Sequence, residues 1–415
     1  MKEILKYRDF IKLFIANLIS RFGDSIDMIA YGYMVYKLTG SKLSLATIYI
    51  SNVLPNILFS SFSGTIVDFF SKKKITVLGD VLRGSLVFIT AFLYSQNLLV
   101  TWHLFFFTFI NSTIETFVSP CKFSTIPKLI DEKHYLTINS SLKSITKFIE
   151  LIGLAIAGTI IGFIGISGAI VIDGVTFLIS SLIICFVKFP IEESKKLTKN
   201  NYIKSYKKGM NFVFEKKFIL SFIISLALLN FLLTPINALA PAYIKDILKM
   251  GPEGLSYFSL SFAMGSILGG IVVSKIGKNL GIKKMLFVGL FFTGLFYSSL
   301  SLPAFKDMFR PIILACFSMG LIGIFIPFAT AALTTFLMTV TPKDMLARVG
   351  AVINMFSLSA NPLGAFTSGL ISSFIGLKFL ILGFGILFMI TTLLPVVAYS
   401  KYQKDLSQDI QILET

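Results

Sequence analysis

Two stretches, Ile152–Gly165 (IGLAIAGTIIGFIG) and Leu363–Gly376 (LGAFTSGLISSFIG), decide how the chain is read. At a constant offset of about 211 residues, Gly153, Gly158, Phe163, Ile164 and Gly165 meet Gly364, Gly369, Phe374, Ile375 and Gly376. The matched glycines and the shared Phe-Ile-Gly ending set this apart from the general likeness of two apolar helices. The chain reads as one unit used twice, the fifth apolar span of the first copy answering to the eleventh of the whole.

Working outward from these stretches, runs long enough to cross a bilayer fall at roughly 11–37, 43–69, 75–96, 99–118, 138–163 and 168–189. A polar stretch, 190–217, follows. The second set lies at roughly 217–241, 255–275, 284–303, 311–337, 347–375 and 377–399. A span of about 20 apolar residues matches the hydrocarbon thickness, and each must satisfy its own backbone hydrogen bonds, so helices are expected. The expectation is an all-α membrane protein of 12 transmembrane helices in two six-helix pseudo-symmetric halves. Residues 1–189 form the first bundle, 190–217 a cytoplasmic central loop, 218–400 the second bundle and 401–415 a cytoplasmic tail. Composition agrees: 55% of the 415 residues are apolar, 14% are charged and the mean hydropathy is +0.82. One soluble core cannot hide that much apolar surface.

The net charge of +17 raises nucleic acid as a partner, but no basic patch sits on a soluble stretch. Lys and Arg instead gather in alternate loops: Lys72–Lys74, Lys122, Lys128 and Lys133, the lysines of 188–217, and Lys275–Lys284. About 27 positive charges fall on that side and about 7 on the other, which places both termini in the cytoplasm. The first span carries Arg21, Asp24 and Asp27 and is too long and too polar for a cleaved signal segment. Cys121, Cys185 and Cys316 form no disulfide pattern.

Between the second and third spans stands Gly64-Thr-Ile-Val-Asp68-Phe-Phe-Ser-Lys72-Lys73-Lys74. Gly64 permits close helix approach, Asp68 sets a carboxylate at the rim, and the lysines hold the loop inside. The stretch resembles the loop signature of the major facilitator superfamily. Phe69 replaces the usual basic residue, Ser71 the usual Gly, and the second-half counterpart has Ser274 in place of the acid. Arg21-Phe-Gly23-Asp24, Ile126-Pro127, Ile172-Asp173-Gly174 with Phe177, Thr234-Pro235-Ile-Asn237 and Arg348-Val349 resemble the branch with macrolide-efflux proteins. Gly153-Leu154 departs from the Gly-Pro of the antiporter pattern. The resemblance implies a cytoplasmic gate of Gly64, Asp68, Lys72 and Arg348, Asp68 meeting the start of the eleventh span. It also implies a central cavity lined by spans 1, 4, 7 and 10, and a monomer.

The cavity candidates follow from polar residues inside apolar spans, which are costly in lipid and functional by default. The first span offers Asn17, Arg21 and Asp24 on one face, with Arg21 and Asp24 spaced to pair. The fourth offers Asn111 and Glu115, with Arg83 of the third span as a partner for Glu115. The seventh offers Asn230 and Asn237 flanking Pro235. Asp24, Glu115 and Asp27 are the proton-coupling candidates, since a carboxyl in low dielectric holds its proton more readily. Asp173 is expected near the outer end of the sixth span in a structural role.

There is no Gly-x-x-x-x-Gly-Lys-Ser/Thr loop for ATP, the two histidines lie apart, and no nucleophile–base pairing is placed for catalysis. No enzyme, cofactor or metal is expected. The expected function is proton-coupled export of amphipathic, macrolide-type small molecules from the cell membrane. A lysophospholipid or other metabolite transporter of the same fold, and a non-transporting membrane sensor or scaffold, are the alternatives.

Overall fold

The computed structural model describes residues 6–67, 69–131, 135–189, 210, 217–305, 310–341, 346–400 and 402. Among them every regular element is helical. In chain order these are α1 Arg8–Thr39, α2 Lys42–Val67, α3 Lys72–Ser95, α4 Thr101–Thr125, α5 Tyr135–Cys185, α6 Lys217–Ala242, α7 Pro252–Ser299, α8 Pro311–Val340, α9 Leu346–Ile375 and α10 Leu377–Thr391. Among the described residues, seven helices are long and apolar enough to cross a membrane. Large apolar side chains point outward along them, Phe163 and Phe374 at 85% exposure, Phe317 at 62% and Leu182 at 60%. Such a surface suits lipid and not water.

The expected spans 138–163 and 168–189 appear as one helical run, α5, broken at Gly165 (φ 74°, ψ 174°). The spans 255–275 and 284–303 likewise join in α7 across Gly281 (φ 70°, ψ 162°). Gly376, between α9 and α10, adopts φ 82° and ψ 159°. A side chain at these angles would clash with its own backbone, so glycine lets the chain reverse between helices with no intervening loop. Gly165 and Gly376 are the closing residues of the two repeated stretches. The repeat is thus matched in backbone conformation as well as in letters.

The fourth span corrects the expectation. It does not end near residue 118 but runs as α4 to Thr125, past Pro120. Lys122, read above as a loop charge, is therefore a buried helical residue.

The chain divides into two compact units. Unit 1 holds α1–α5 with residues 249–257, and unit 2 holds α6, the remainder of α7, and α8–α10. In unit 1, α1 and α3 pack on α5, and α2 packs on α4. Lys12 donates to the Phe186 carbonyl (3.1 Å), and Lys73 to those of Cys185 (2.6 Å) and Val187 (3.0 Å). Three carbonyls left over where α5 ends are thereby capped by cations, which also suits the negative end of the helix dipole.

In unit 2, α6 packs on α9 and α10. Glycine brings backbones together. A Cβ on Gly364 would stand 2.5 Å from the Phe231 carbonyl of α6. Pro235 has no N–H to give that carbonyl, so α9 approaches where the α6 ladder is already open. The corresponding Gly153 meets Ser25 and the Phe22 carbonyl of α1 in unit 1. Cβ atoms on Gly265 and Gly269 would fall on the Gly320 and Ile324 carbonyls of α8. Among the described residues, a Cβ on Gly64 would meet nothing within 4 Å.

Candidate functional site

The centre of unit 1 is a guanidinium. Arg83 sits midway along α3, and its side chain is 9% exposed. Its Nε donates to Asn111 Oδ1 (2.8 Å), its Nη1 to Glu115 Oε2 (2.5 Å) and its Nη2 to Asp24 Oδ1 (3.2 Å). The ring of Phe177 on α5 covers the cation, 4.2 Å from Cζ to centroid. One planar fork thus joins α1, α3, α4 and α5. Arginine suits this because its donors diverge in a plane and its flat face accepts an aromatic ring. Arg21, 46% exposed, stands 3.7 Å from the other oxygen of Asp24. Asp24 is therefore held between two arginines, and the pairing expected of Arg21 is the weaker of the two.

A second buried pair lies one turn along α3. Asp80, with no exposed surface, accepts from Lys122 of α4 at 3.0 and 3.2 Å and from Ser180 of α5 at 2.7 Å. The two rungs use the same three helices, at 80 and 83 on α3, 122 and 115 on α4, and 180 and 177 on α5. Both are charge-balanced, as buried ion pairs must be to persist.

Asp27 and Asp173 stand outside this balance. Asp27 Oδ1 is buried and has no hydrogen-bond partner among the described residues. Asp173 is 2% exposed, and its carboxylate is reached by Thr176 Oγ1 at 3.5 Å. It presses on α1 at Gly23, where a Cβ would stand 2.5 Å from its Oδ1. Counting from the break at Gly165, Asp173 lies about two turns into the second arm of α5, in the charge cluster itself.

The remaining candidates fall elsewhere. Asn17 is half-buried on α1, one turn before Arg21. Asn230 donates to the Leu226 carbonyl of its own helix (2.9 Å), and Asn237 is exposed; both are in unit 2. Of the gate residues, Lys72 is buried at the start of α3 and Gly64 is half-buried on α2. Asp68 and the side chain of Arg348 lie outside the described residues. The sequence offers Arg83 as a partner for Glu115 and not as a cavity residue. An arginine in the middle of an apolar run, three after an aspartate, is the signal that marks it.

The family model described as Major Facilitator Superfamily matches residues 13–365. The chain belongs to the Major Facilitator Superfamily. Among curated superfamily relatives, the uncharacterized MFS-type transporter YkuC of Bacillus subtilis is 22% identical, over 96% of this chain and 94% of its own length. Macrolide efflux protein A of Streptococcus pyogenes is 23% identical over 89% and 90%. Among solved superfamily folds, the nucleoside transporter NupG superposes with a TM-score of 0.74 at 13% identity, covering 94% of this chain and 99% of that one. That likeness speaks for the fold alone. The chain is a superfamily transporter of small molecules and not an enzyme.

Proposed function

We propose that the chain is a proton-coupled exporter of amphipathic, macrolide-type compounds working by alternating access. The observation that carries this is the Arg83 fork. Two carboxylates, Asp24 and Glu115, share one buried cation with Asn111. A proton added to either acid releases one arm of Arg83 and changes which helices it ties together. That is a local charge event acting on a bistable packing element, which coupling requires. Asp27 is the third candidate proton carrier. Both neighbouring acids have partly exposed side chains, Asp24 at 25% and Glu115 at 38%, so protons and solutes have access.

The substrate cavity is proposed to include Asn17, Arg21, Asp24, Asn111 and Glu115 from the first half and Asn230 and Asn237 from the second. The architecture that goes with it is twelve spans in two six-helix halves, 1–189 and 218–400, with a loop at 190–217 and a tail at 401–415. The loop and both termini are cytoplasmic, and the protein is a monomer. A gate of Gly64, Asp68, Lys72 and Arg348 closes the cytoplasmic side. A relative named for macrolide efflux, matched over nine-tenths of its length, supports the choice of substrate.

The test is accumulation of a labelled macrolide and a panel of cationic dyes in efflux-deficient bacteria. Cells carrying the protein, its Asp24→Asn form or an empty vector are compared with and without a protonophore. Lower accumulation that needs both the gradient and Asp24 is the expected result. Equal retention in all strains, with the protein shown to be in the membrane, overturns the exporter reading.

A further inference from the structure

Unit 2 contains a cavity of about 250 Å³, open mouth included, whose wall belongs to that unit alone. It lies where helices end. Leu239 and Tyr243 come from the last turns of α6 and the residue after it, Leu300 from just beyond α7, and Leu377 and Ile381 from the start of α10; Phe258, near the start of α7, completes the ring. Tyr243 is the one polar side chain of the wall, and it is spent: its hydroxyl donates to the Leu300 carbonyl (2.8 Å), and its ring packs on Phe258 at 5.6 Å between centroids. A wide turn, Tyr243–Ile247, continues α6 there, and the Leu248 N–H reaches back to the Tyr243 carbonyl (3.2 Å). Wide turns of this kind recur at functional sites.

The chemistry of the wall decides what fills it. An apolar cavity excludes water and takes up hydrocarbon. No side chain is left to orient a hydrophilic solute, as small-molecule sites require. A helix of a second copy, about 10 Å across with its side chains, is too wide to enter. In a bilayer the hydrocarbon at hand is an acyl chain. The ends of spanning helices mark the depth at which such a chain joins its headgroup.

The headgroup follows from Lys378. It is the second residue of α10, next to Leu377 of the wall, and its Nζ stands 5.1 Å from the ring centre of Phe305 and 4.9 Å from that of Phe379. Among the described residues no acid meets it. Phe305, Phe379 and Leu302 are exposed around it. An unpaired ammonium set among exposed apolar groups at a helix end is placed to meet the phosphate of a lipid.

We propose that this cavity holds one acyl chain of an anionic phospholipid, with the phosphate resting on Lys378. The lipid then packs the ends of α6, α7 and α10 together as a bound component of unit 2. The site stands apart from the exporter reading, since it uses no residue assigned to the substrate cavity or the gate.

The test is photo-labelling of the full-length protein in phosphatidylcholine nanodiscs. Phosphatidylglycerol carrying a diazirine on one acyl chain is added as a minor component, and the labelled peptides are mapped. Phosphatidylcholine and a free fatty acid with the same photoreactive chain are the comparison probes. Wild type, Lys378→Gln, Ala240→Leu and Lys37→Gln are compared; Ala240 is a further wall residue, and Lys37 is an exposed lysine in the last turn of α1. Phosphatidylglycerol is expected to label the end of α6 and the start of α10 in preference to other lipid-facing segments, and more strongly than phosphatidylcholine does. That labelling should fall about fivefold in Lys378→Gln, vanish in Ala240→Leu, whose larger side chain fills the cavity, and stay unchanged in Lys37→Gln. Labelling spread evenly over the lipid-facing helices, an unchanged Lys378→Gln, or an equal fall in Lys37→Gln overturns the site. Stronger labelling by the fatty acid overturns the choice of a phospholipid. If Ala240→Leu does not fold, Lys378→Gln decides by the contrast between the two phospholipids. No gradient and no transported solute are involved, so failure here leaves the exporter reading standing, and failure of that reading leaves the lipid site standing.

Discussion

Unit 1 buries five charged side chains, Lys72, Asp80, Arg83, Lys122 and Asp173, whereas among the described residues unit 2 buries none. The two units solve the same packing problem differently. Unit 2 closes on glycine: Gly265, Gly269, Gly323 and Gly385 each leave room for the backbone of a neighbouring helix, and Phe222 stacks on Phe336 at 4.0 Å between ring centres. In lipid, where apolar side chains gain little by leaving solvent, such close van der Waals contact is what holds helices together. Unit 1 uses glycine as well, at Gly23 and Gly153, but lays two ion-pair rungs across three helices. Ion pairs are a poor way to gain stability and a good way to build something that can change state. On the proposed reading the coupling groups lie in unit 1, while unit 2 is held by close glycine packing.

The largest break in that contrast is expected from Arg83→Met. It leaves Asp24 and Glu115 facing each other with only Arg21 nearby. Removing one partner of a buried pair costs about 3–5 kcal/mol. Here the cost falls mainly on Asp24, Glu115 being 38% exposed. Transport should be lost, and the unfolding transition in mixed micelles should move down by that order. Arg83→Lys keeps the charge but not the fork, so it should fold better than Arg83→Met and still transport poorly. A fully active Arg83→Met would show that the fork is not the coupling element.

Next in size is the second rung. Lys122→Met strands a fully buried Asp80 with Ser180 alone, again about 3–5 kcal/mol. The double change Asp80→Leu with Lys122→Met removes both charges and should recover most of the loss in the same unfolding assay. Recovery of stability without recovery of transport would mark this rung as part of the switch; recovery of both would make it only a staple.

How much of this was legible beforehand depends on whether a feature lies along one helix or across several. The repeat was legible because glycine at a reversing backbone leaves a letter, and Gly165 and Gly376 share both position and angles. Asp24, Asn111 and Glu115 were legible as polar residues in apolar runs. Their meeting was not, since spacing on α1 or α4 says nothing about which residue of α3 stands between them. The packing of Asp173 on α1 was not legible, since spacing along the sixth span says nothing about its facing Gly23. Lys122 was misplaced because α4 runs through Pro120 instead of stopping before it.

A smaller effect, in unit 2, comes from Gly265→Leu. The side chain would run into the Gly320 carbonyl of α8, and overpacking of this sort costs about 1–3 kcal/mol. Gly162→Leu is the matched control, since nothing lies within 4 Å of a Cβ there. Lower membrane yield and an earlier unfolding transition are expected for the first and wild-type values for the second. Substrate preference should stay unchanged in whatever Gly265→Leu protein does fold, because neither Gly265 nor Gly320 is among the proposed cavity residues.

The smallest effect sharpens the contrast most. Asn237 is exposed on α6, and Asn230 spends its amide on its own helix. Asn111, in unit 1, spends its carbonyl on Arg83. Truncating Asn237 to Ala removes no partner among the described residues, so the unfolding transition should move by no more than about 0.5 kcal/mol, as for an ordinary surface change, and any fall in export reports the substrate contact proposed for it. Asn111→Ala takes one of three hydrogen bonds from a buried cation, and a bond to a charged group is worth about 1.5–3 kcal/mol. Its export rate should fall by about tenfold or more. The comparison is made on initial rates at equal membrane levels, where a difference in folding does not pass for a difference in transport. If Asn237→Ala exports at the wild-type rate, Asn237 is no part of the substrate cavity; a fall in export without loss of stability means that the exposed amide of α6 meets the substrate and not the protein.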